Sequence, residues 1–253
     1  MTRAQGHSLN KKPAVLGVWT TVLLSSAIGV AFVAVQFGAL FLFELLEVHD
    51  HQKVDTHSLV SNLGSNGLVF SVATCASAII CGALVWLVTR LCGSTAPAEY
   101  LGFQRVTPRR LALWLGLVPL FVLASDIVEP LLHHPRGPDF TLEIYRSATF
   151  LPLLWFAMVA AAPAFEELFF RSFLLQGLRN SRLGAAGAIV LTSLGWALLH
   201  SQYSGGEIAE VFLFGAVLGV ARVRTRSIYT SFAMHAFANF LTLIEVAVSL
   251  RAH

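Results

Sequence analysis

Two adjacent glutamates and an arginine lie in the middle of a strongly apolar part of the chain. Glu166, Glu167 and Arg171 belong to the run AAAPAFEELFFRSFLL, which begins at Ala160. An ionisable side chain at membrane depth costs at least about 2.5–3.5 kcal/mol on insertion scales, and such side chains usually face a bundle interior or a wet cavity. Three of them so close together therefore indicate a functional site.

The helical spacing of these three residues separates their roles. Glu167 precedes Arg171 by four residues, which is the favourable order for an ion pair on a helix. Glu166 is rotated from Glu167 by about 100° around the helix axis and has no cation at that spacing. We therefore interpret Glu166 as a candidate general base. Glu167 with Arg171 is more typical of a buried ion pair that orients the helix than of groups acting on a substrate.

Two of the nine histidines fall within apolar segments. His200 follows Trp196 by four residues and Asn239 follows His235 by four, a spacing that places the members of each pair on one helix face. A histidine at the end of a span is also typical of the membrane interface, and His235 with Asn239 is also typical of polar contacts between helices. The pairs by themselves leave these alternatives open.

The depths of these polar residues agree with one another. With a rise of about 1.5 Å per residue, Glu166, His200, His235 and Asn239 all fall at middle to outer depths, measured from the cytoplasmic ends of their predicted spans. Polar groups at such depths need partners, because hydrocarbon offers none. The sequence therefore predicts one intramembrane polar cavity to which three helices contribute.

The composition of the chain predicts an integral membrane protein. Of its 253 residues, 56% are hydrophobic and only 12% are charged, with a mean hydropathy of +0.70, whereas soluble domains carry about 25% charged residues. The net charge of +3 is too small to indicate a nucleic-acid partner. The three cysteines show no spacing typical of a zinc site or of a disulfide framework.

Seven segments are candidates for membrane spans, each of which needs about 20 mostly apolar residues. They are 14–46, 67–91, 111–132, 147–179, 183–200, 208–221 and 228–250. We expect Pro119 to break the third span and Pro163 to bend the fourth, since proline removes a helix hydrogen bond. In the sixth, Gly215 and Gly219 form a small-residue face that lets helices approach closely.

The predicted fold is therefore all-α. We expect a single polytopic membrane domain, 1–253, built as a helical bundle of about seven transmembrane helices around the polar cavity, with a catalytic core at about 147–250. With the N-terminus in the cytoplasm, only four of the 17 lysines and arginines face the outer side: Lys53, Arg136, Arg146 and Arg251. The positive-inside rule therefore favours a multi-pass protein with a cytoplasmic N-terminus.

Three motifs stand in chain order, each on its own predicted span: Glu-Glu-x-x-x-Arg at 166–171, aromatic-x-x-x-His at 196–200 and His-x-x-x-Asn at 235–239. In this combination the chain resembles the CPBP family of intramembrane proteases. That family includes the type II CAAX prenyl endopeptidases and bacterial relatives linked to bacteriocin processing or self-immunity. The resemblance covers about 151–241, and Trp196 stands where phenylalanine is commoner.

The resemblance implies a reaction and a role for each residue. Glu166 with His200 would activate a water molecule, and His235 with Asn239 would stabilise the oxyanion of a tetrahedral intermediate. The residues expected to support this site are Glu167, Arg171 and Trp196. The implied protein is a glutamic-type intramembrane endopeptidase, without metal or other cofactor, in the bacterial inner membrane. It would cleave a membrane-associated peptide or protein near its terminus.

Two other functions would use the same residues. A zinc-dependent intramembrane metalloprotease would take Glu166, His200 and His235 as ligands, although the chain lacks the His-Glu-x-x-His motif that presents two imidazoles on one helix face. Asn239 favours the metal-free alternative, because a carboxamide is a poor zinc ligand and a good oxyanion donor. A transporter or immunity factor would use the same polar groups for ion binding or helix packing. In every case the lipid bilayer is a partner and nucleic acid is not.

Overall fold

The computed structural model describes residues 16–47, 66–92, 96–131 and 140–252. The predicted outer loop after the first span and the basic residues of the N-terminus lie outside these ranges. Within them every regular element is a helix, as predicted. The helices are α1 (Val18–Glu47), α2 (Gly67–Cys92), α3 (Pro97–Leu101), α4 (Pro108–Leu115), α5 (Leu117–Leu131), α6 (Phe140–Ser147), α7 (Leu151–Arg179), α8 (Gly184–Leu198), α9 (Gly205–Thr225) and α10 (Ile228–Ala252).

Five helical segments of the described chain are long and apolar enough to cross a membrane. They are Val18–Phe43, Gly67–Cys92, Pro108–Val128, Leu151–Arg179 and Ile228–Arg251. The all-α fold and the integral membrane character are thereby confirmed. The predicted fifth and sixth spans are not among these five segments. The helix in the fifth is shorter than predicted, and the helix in the sixth is longer.

The predicted fifth span, 183–200, contains a shorter helix than expected. Helix α8 has 15 residues and is about 22 Å long. The hydrocarbon core of a bilayer is thicker, at about 30 Å. Its end is tightened by bonds from the Leu199 N–H to the Trp196 carbonyl (3.2 Å) and from the His200 N–H to the Ala197 carbonyl (3.0 Å). His200 therefore lies in the turn after α8 and does not share a regular helix face with Trp196.

The predicted sixth span, 208–221, is part of a longer helix. Helix α9 has 21 residues and begins where Ser204 and Glu207 form a capping box. The Ser204 N–H donates to the Glu207 carboxylate at 2.7 Å, and the Glu207 N–H donates to Ser204 Oγ at 3.5 Å. This exchange satisfies two backbone donors that the start of a helix would otherwise leave unpaired.

The close approach predicted for the glycines of α9 is confirmed. A Cβ atom at Gly215 would lie 2.9 Å from both Arg171 Nη2 and Trp196 Cε3, and one at Gly219 would lie 3.0 Å from Ile189 Cγ2. Any larger side chain would push α9 away from α7 and α8. The two glycines therefore bring α9 against the polar centre of the bundle.

The two proline predictions have different outcomes. The third span is interrupted at Gly116, between α4 and α5, and not at Pro119. Pro119 lies in the first turn of α5, where its missing N–H would have no helical partner in any case. The bend at Pro163 of α7 stays a prediction, and a π-helical segment, Ala157–Ala161, lies directly before this proline.

The π-helical segment releases a carbonyl from the backbone of α7. The Ala162 N–H donates to the Ala157 carbonyl, five residues back, and Pro163 has no N–H to donate. The Met158 carbonyl therefore loses the donors that a regular helix would supply. A second π-helical segment, Glu167–Leu174, carries the acidic motif. Such segments are frequent at functional sites.

The apolar core surrounds the middle of α7. Phe165, Phe169, Phe170 and Phe173 of that helix are all buried. The ring of Phe165 stacks on Phe32 of α1, with ring centroids 5.5 Å apart. Aromatic side chains therefore pack around the middle of α7, next to its buried polar residues.

Candidate active site

The two consecutive glutamates of α7 have different surroundings. The Glu167 side chain is fully buried, whereas 24% of the Glu166 side chain is exposed. Arg171, also fully buried, places Nη1 3.5 Å from Glu167 Oε1, the contact that their spacing predicts. The Arg171 guanidinium makes no hydrogen bond within the described chain. Its charge is therefore stabilised by the Glu167 carboxylate and by the aromatic ring beneath it.

That aromatic ring belongs to Trp196 at the centre of the site. The Arg171 guanidinium lies over its face, 4.2 Å from the ring centroid. The rings of His200 and His235 each meet the indole edge to face at a centroid distance of 5.1 Å. Its Nε1–H donates to Glu166 Oε2 at 2.5 Å. Trp196 thus contacts both predicted catalytic histidines and holds the carboxylate of the predicted base.

The indole hydrogen bond is a feature that the sequence analysis missed. From the sequence, Trp196 was expected only to support the site, at a position where phenylalanine is commoner. Phenylalanine has no N–H and cannot donate to Glu166. The tryptophan in place of the commoner phenylalanine was the only sequence signal for the contact with Glu166. Its meaning became clear from the distance between Trp196 Nε1 and Glu166 Oε2.

His235 lies between the two glutamates. Its Nδ1 is 3.0 Å from Glu167 Oε1 and its Nε2 is 3.9 Å from Glu166 Oε2. Because the Glu167 carboxylate pairs with Arg171 and can only accept, Nδ1 of His235 must carry the proton that is donated to it. The Nε2 atom is thereby directed to the side of Glu166. Glu167 therefore orients His235 in addition to neutralising Arg171. The sequence did not predict the contact with His235, because the two residues are 68 positions apart.

His200 reaches the same tryptophan from the turn after α8. Its Nδ1 lies 2.9 Å from the Trp196 carbonyl, which requires Nδ1 to be the donor, and its ring stacks on Tyr203 at a centroid distance of 5.7 Å. His200 makes no ion pair with Glu166 in the described structure. The two side chains instead contact the same indole.

Asn239 lies one helical turn beyond His235 and contacts the backbone of α7. Its Nδ2 donates to the Met158 carbonyl at 2.8 Å, the carbonyl that Pro163 and the π-helical segment leave without its helical donors. A carboxamide nitrogen has two hydrogens, and this bond uses one of them. Asn239 therefore couples α10 to α7 and keeps a second N–H for another acceptor.

The structure thus brings Glu166, Trp196, His200 and His235 together, whereas Asn239 contacts α7 at the Met158 carbonyl. Within the described part of the chain, no three His, Cys, Asp or Glu side chains are grouped in a way that would hold a metal ion. The arrangement offers a partly exposed carboxylate, two imidazoles and a carboxamide beside a buried ion pair. These are the groups needed for proton transfer and for stabilising an oxyanion.

Comparison with known proteins shows that this part of the chain is similar to one family. Residues 147–241 match the family model described as type II CAAX prenyl endopeptidase, Rce1-like. Over these residues the chain is similar to an Rce1-like domain. This domain includes all three motifs, and the resemblance expected from them is confirmed over this segment. The proteins of that family are intramembrane proteases of the CAAX type.

A further similarity extends beyond the Rce1-like domain. An Escherichia coli protein named "Uncharacterized 24.3 kDa protein" is 29% identical over 191 residues, which cover 74% of this chain and 84% of that protein. No solved structure is significantly similar to the chain. Helices α1 and α2 precede the Rce1-like domain, and the contact of Phe32 with Phe165 packs α1 directly against it.

Proposed function

We propose that the protein is an intramembrane endopeptidase that hydrolyses a peptide bond near the terminus of a membrane-associated peptide or protein. The observation that carries the proposal is the Glu166 carboxylate, which is partly exposed, held by the Trp196 N–H at 2.5 Å and faced by His235 Nε2 at 3.9 Å. A carboxylate that is fixed in place and still accessible can take a proton from water. The match of residues 147–241 to a protease family supports the same reaction.

In the proposed reaction, Glu166 takes a proton from a water molecule and the hydroxide attacks the scissile carbonyl carbon. The new C–O bond converts the carbonyl into an oxyanion. Glu166 passes the proton from water to Nε2 of His200, which donates it to the amide nitrogen. The oxyanion re-forms the carbonyl as the C–N bond breaks, and an acid and an amine are released. One water molecule is consumed, and no group of the protein is permanently changed.

The oxyanion would be stabilised by His235 and Asn239. The Glu167 carboxylate, 3.0 Å from His235 Nδ1, would balance the positive charge that His235 carries when it also donates from Nε2. Asn239 would donate the N–H that its bond to Met158 leaves free. Donors of this kind contribute about 2.7–4 kcal/mol each to the stability of the transition state.

The proposal includes the location of the protein. The concentration of basic residues near one side of the bundle supports a bacterial inner-membrane protein with a cytoplasmic N-terminus. Reporters fused after residues 55, 138 and 203 should then report the outer side, and reporters fused after 10, 100, 181 and 225 the cytoplasm. A cytoplasmic signal after residue 203 would contradict this orientation for α8 and α9.

The function is tested by removing the base alone. In a strain lacking the gene, complementation with the wild-type protein should restore the cut termini of membrane-associated proteins, and Glu166→Gln should restore none while keeping normal abundance. The matched control is Glu245→Gln, which neutralises an exposed carboxylate on α10. Protein termini are compared by mass spectrometry in water enriched in ¹⁸O, since hydrolysis places one labelled oxygen in the new carboxylate.

The outcome distinguishes the proposed protease from the alternatives. Cleavage that is restored by Glu166→Gln would exclude Glu166 as the base. If the strain with the wild-type protein has the same set of termini as the strain lacking the gene, the protein is not acting as a protease in that membrane, and a transporter or immunity factor is favoured.

A further inference from the structure

An open cavity with a mixed apolar and polar lining lies outside the candidate active site, between the start of α4 and the end of α9. Its volume is about 470 Å³, within the range of known ligand pockets. Further into the bundle the two spans meet through Phe121 and Phe214, whose ring centroids are 5.1 Å apart. The residues that line the cavity are Arg110, Leu113, Trp114, Val220, Arg224 and Thr225.

Two arginines from different helices share this cavity. Within the described residues neither Arg110 nor Arg224 forms a salt bridge or a side-chain hydrogen bond. Arg222, on the same helix as Arg224, is instead buried and donates from Nη2 to the Leu101 carbonyl at 3.1 Å. Two guanidiniums without a carboxylate between them attract an anion, and their forked N–H groups match the oxygens of a phosphate.

The position of the cavity along the spans favours a lipid as the source of that phosphate. Phe121 and Phe214 lie eleven and ten residues from Arg110 and Arg224, which places the two arginines at the ends of their helices, about 15 Å further out than the phenylalanines. The half-buried Trp114 lies beside them. Tryptophan is enriched at this level of a membrane, where its ring meets the headgroups.

Apolar side chains continue from the cavity towards the middle of the membrane. On one span the exposed residues are Leu113, Leu117 and Leu120, and on α9 they are Val220 and Leu213. Residues three, four or seven apart lie on the same helix face. Each arginine is therefore followed by an outward-facing apolar row, a surface that suits an acyl chain and that a free phosphate ion would not use.

We propose that this cavity binds an anionic phospholipid, with its phosphate between Arg110 and Arg224 and its acyl chains along the two apolar rows. The site is separate from the proposed protease centre, because none of its lining residues belongs to the acidic or histidine motifs. Its occupant would hold the start of α4 against the end of α9. The proposal does not depend on the protein being a protease.

The test measures lipid binding directly. The purified full-length protein in detergent is titrated with phosphatidylglycerol or with zwitterionic phosphatidylcholine, and the lipid-bound fraction is measured by native mass spectrometry. We expect clear selectivity for phosphatidylglycerol. An arginine near the membrane surface contributes about 1 kcal/mol, so Arg110→Gln and Arg224→Gln should each weaken binding about five-fold and the double variant about thirty-fold.

Matched variants separate this site from general surface charge. Arg109→Gln removes the neighbouring exposed arginine, which does not line the cavity, and should leave phosphatidylglycerol binding unchanged. The double variant Arg110→Lys with Arg224→Lys keeps both charges and should lose less than the glutamine pair. Since all three arginines are exposed, these variants should fold normally, which thermal unfolding without added lipid would verify.

Three results would overturn the proposal. The first is equal binding of phosphatidylglycerol and phosphatidylcholine, and the second is an equal loss in Arg109→Gln and in Arg110→Gln. The third is complete displacement of phosphatidylglycerol by millimolar inorganic phosphate, which would show a site for the ion and not for a lipid. All three results concern lipid binding, so they can be interpreted whether or not these variants cleave a peptide.

Discussion

Helices α1 and α7 are both long and apolar, yet they differ in how much of each is buried. The mean hydropathy of their most apolar stretches is 2.1 for Val18–Phe43 and 1.6 for Leu151–Arg179, whereas the buried share of those stretches is 11% and 44%. Trp19 of α1 is 81% exposed, while Glu167 and Arg171 of α7 are fully buried. The more apolar helix is thus the one that faces outward.

This difference follows from the solvent in which the protein folds. Lipid tails are as apolar as leucine, so burying an apolar helix face inside the bundle gains little. A charged side chain gains much by leaving the hydrocarbon for a protein partner. In this chain the polar residues therefore determine which helix occupies the centre, and α1 covers it from one side.

The largest expected effect comes from breaking the buried ion pair. Glu167→Gln should lower the free energy of unfolding by about 3–5 kcal/mol, because Arg171 would remain charged and buried without a counter-charge. The measurement is the yield of folded protein after detergent extraction, together with its thermal unfolding. Glu245→Gln, on the exposed side of α10, is the control and should match the wild type.

A double variant tests whether the unpaired charge of Arg171 is the cause of the lost stability. Glu167→Gln combined with Arg171→Met removes both charges and should recover much of the lost stability, since an apolar replacement of a buried pair is often neutral. If Glu166→Gln and Glu167→Gln are both stable and only Glu167→Gln is inactive, the roles assigned to the two glutamates are reversed.

The next effect concerns the hydrogen bond of the indole. Trp196→Phe keeps an aromatic ring and removes the N–H that holds Glu166. A hydrogen bond to a charged group is worth about 1.5–3 kcal/mol, so we expect kcat to fall about 10–100-fold with little change in KM or in abundance. Rates are measured on a substrate found by terminus profiling.

Trp155→Phe is the matched control for this change. Trp155 is also on α7, and its ring meets Phe240 at a centroid distance of 5.7 Å, outside the cluster around Glu166. Its replacement should leave kcat unchanged. Equal rates for Trp196→Phe and the wild type would show that the indole N–H does not position the base.

A smaller effect is expected in α1. Phe32→Leu removes the stacked contact with Phe165, and an aromatic pair contributes about 0.5–1.5 kcal/mol beyond its buried area. We expect the free energy of unfolding, measured by thermal unfolding, to fall by about 1 kcal/mol and kcat to stay unchanged. Trp19→Leu, on the exposed side of the same helix, should change neither. A fall in kcat for Phe32→Leu as large as that for Trp196→Phe would mean that α1 belongs to the site.

The smallest expected effect is that of a metal chelator. Glu167 is engaged by Arg171 and His235, and Asn239 is a better oxyanion donor than zinc ligand. We therefore expect the purified protein to keep its activity after prolonged treatment with a strong zinc chelator, measured on the same substrate. Loss of activity that zinc restores and magnesium does not would favour the metalloprotease alternative.

The sequence by itself determined the fold class and singled out the charged residues of the polar cluster. Long apolar runs can only cross a membrane as helices, because every backbone group there must find a partner within the chain. The cost of ionisable groups in hydrocarbon then singled out Glu166, Glu167 and Arg171, and helical spacing paired the last two. The close packing at Gly215 was also readable, since only small residues allow such an approach.

Only the tertiary structure decided the contacts between those elements. The bonds from Trp196 to Glu166, from His235 to Glu167 and from Asn239 to Met158 join residues 30, 68 and 81 positions apart. Local spacing describes one helix at a time and says nothing about which residues of two helices meet. The last bond also depends on a π-helical turn beside Pro163, which redirects a single carbonyl and leaves no periodic signal in the sequence.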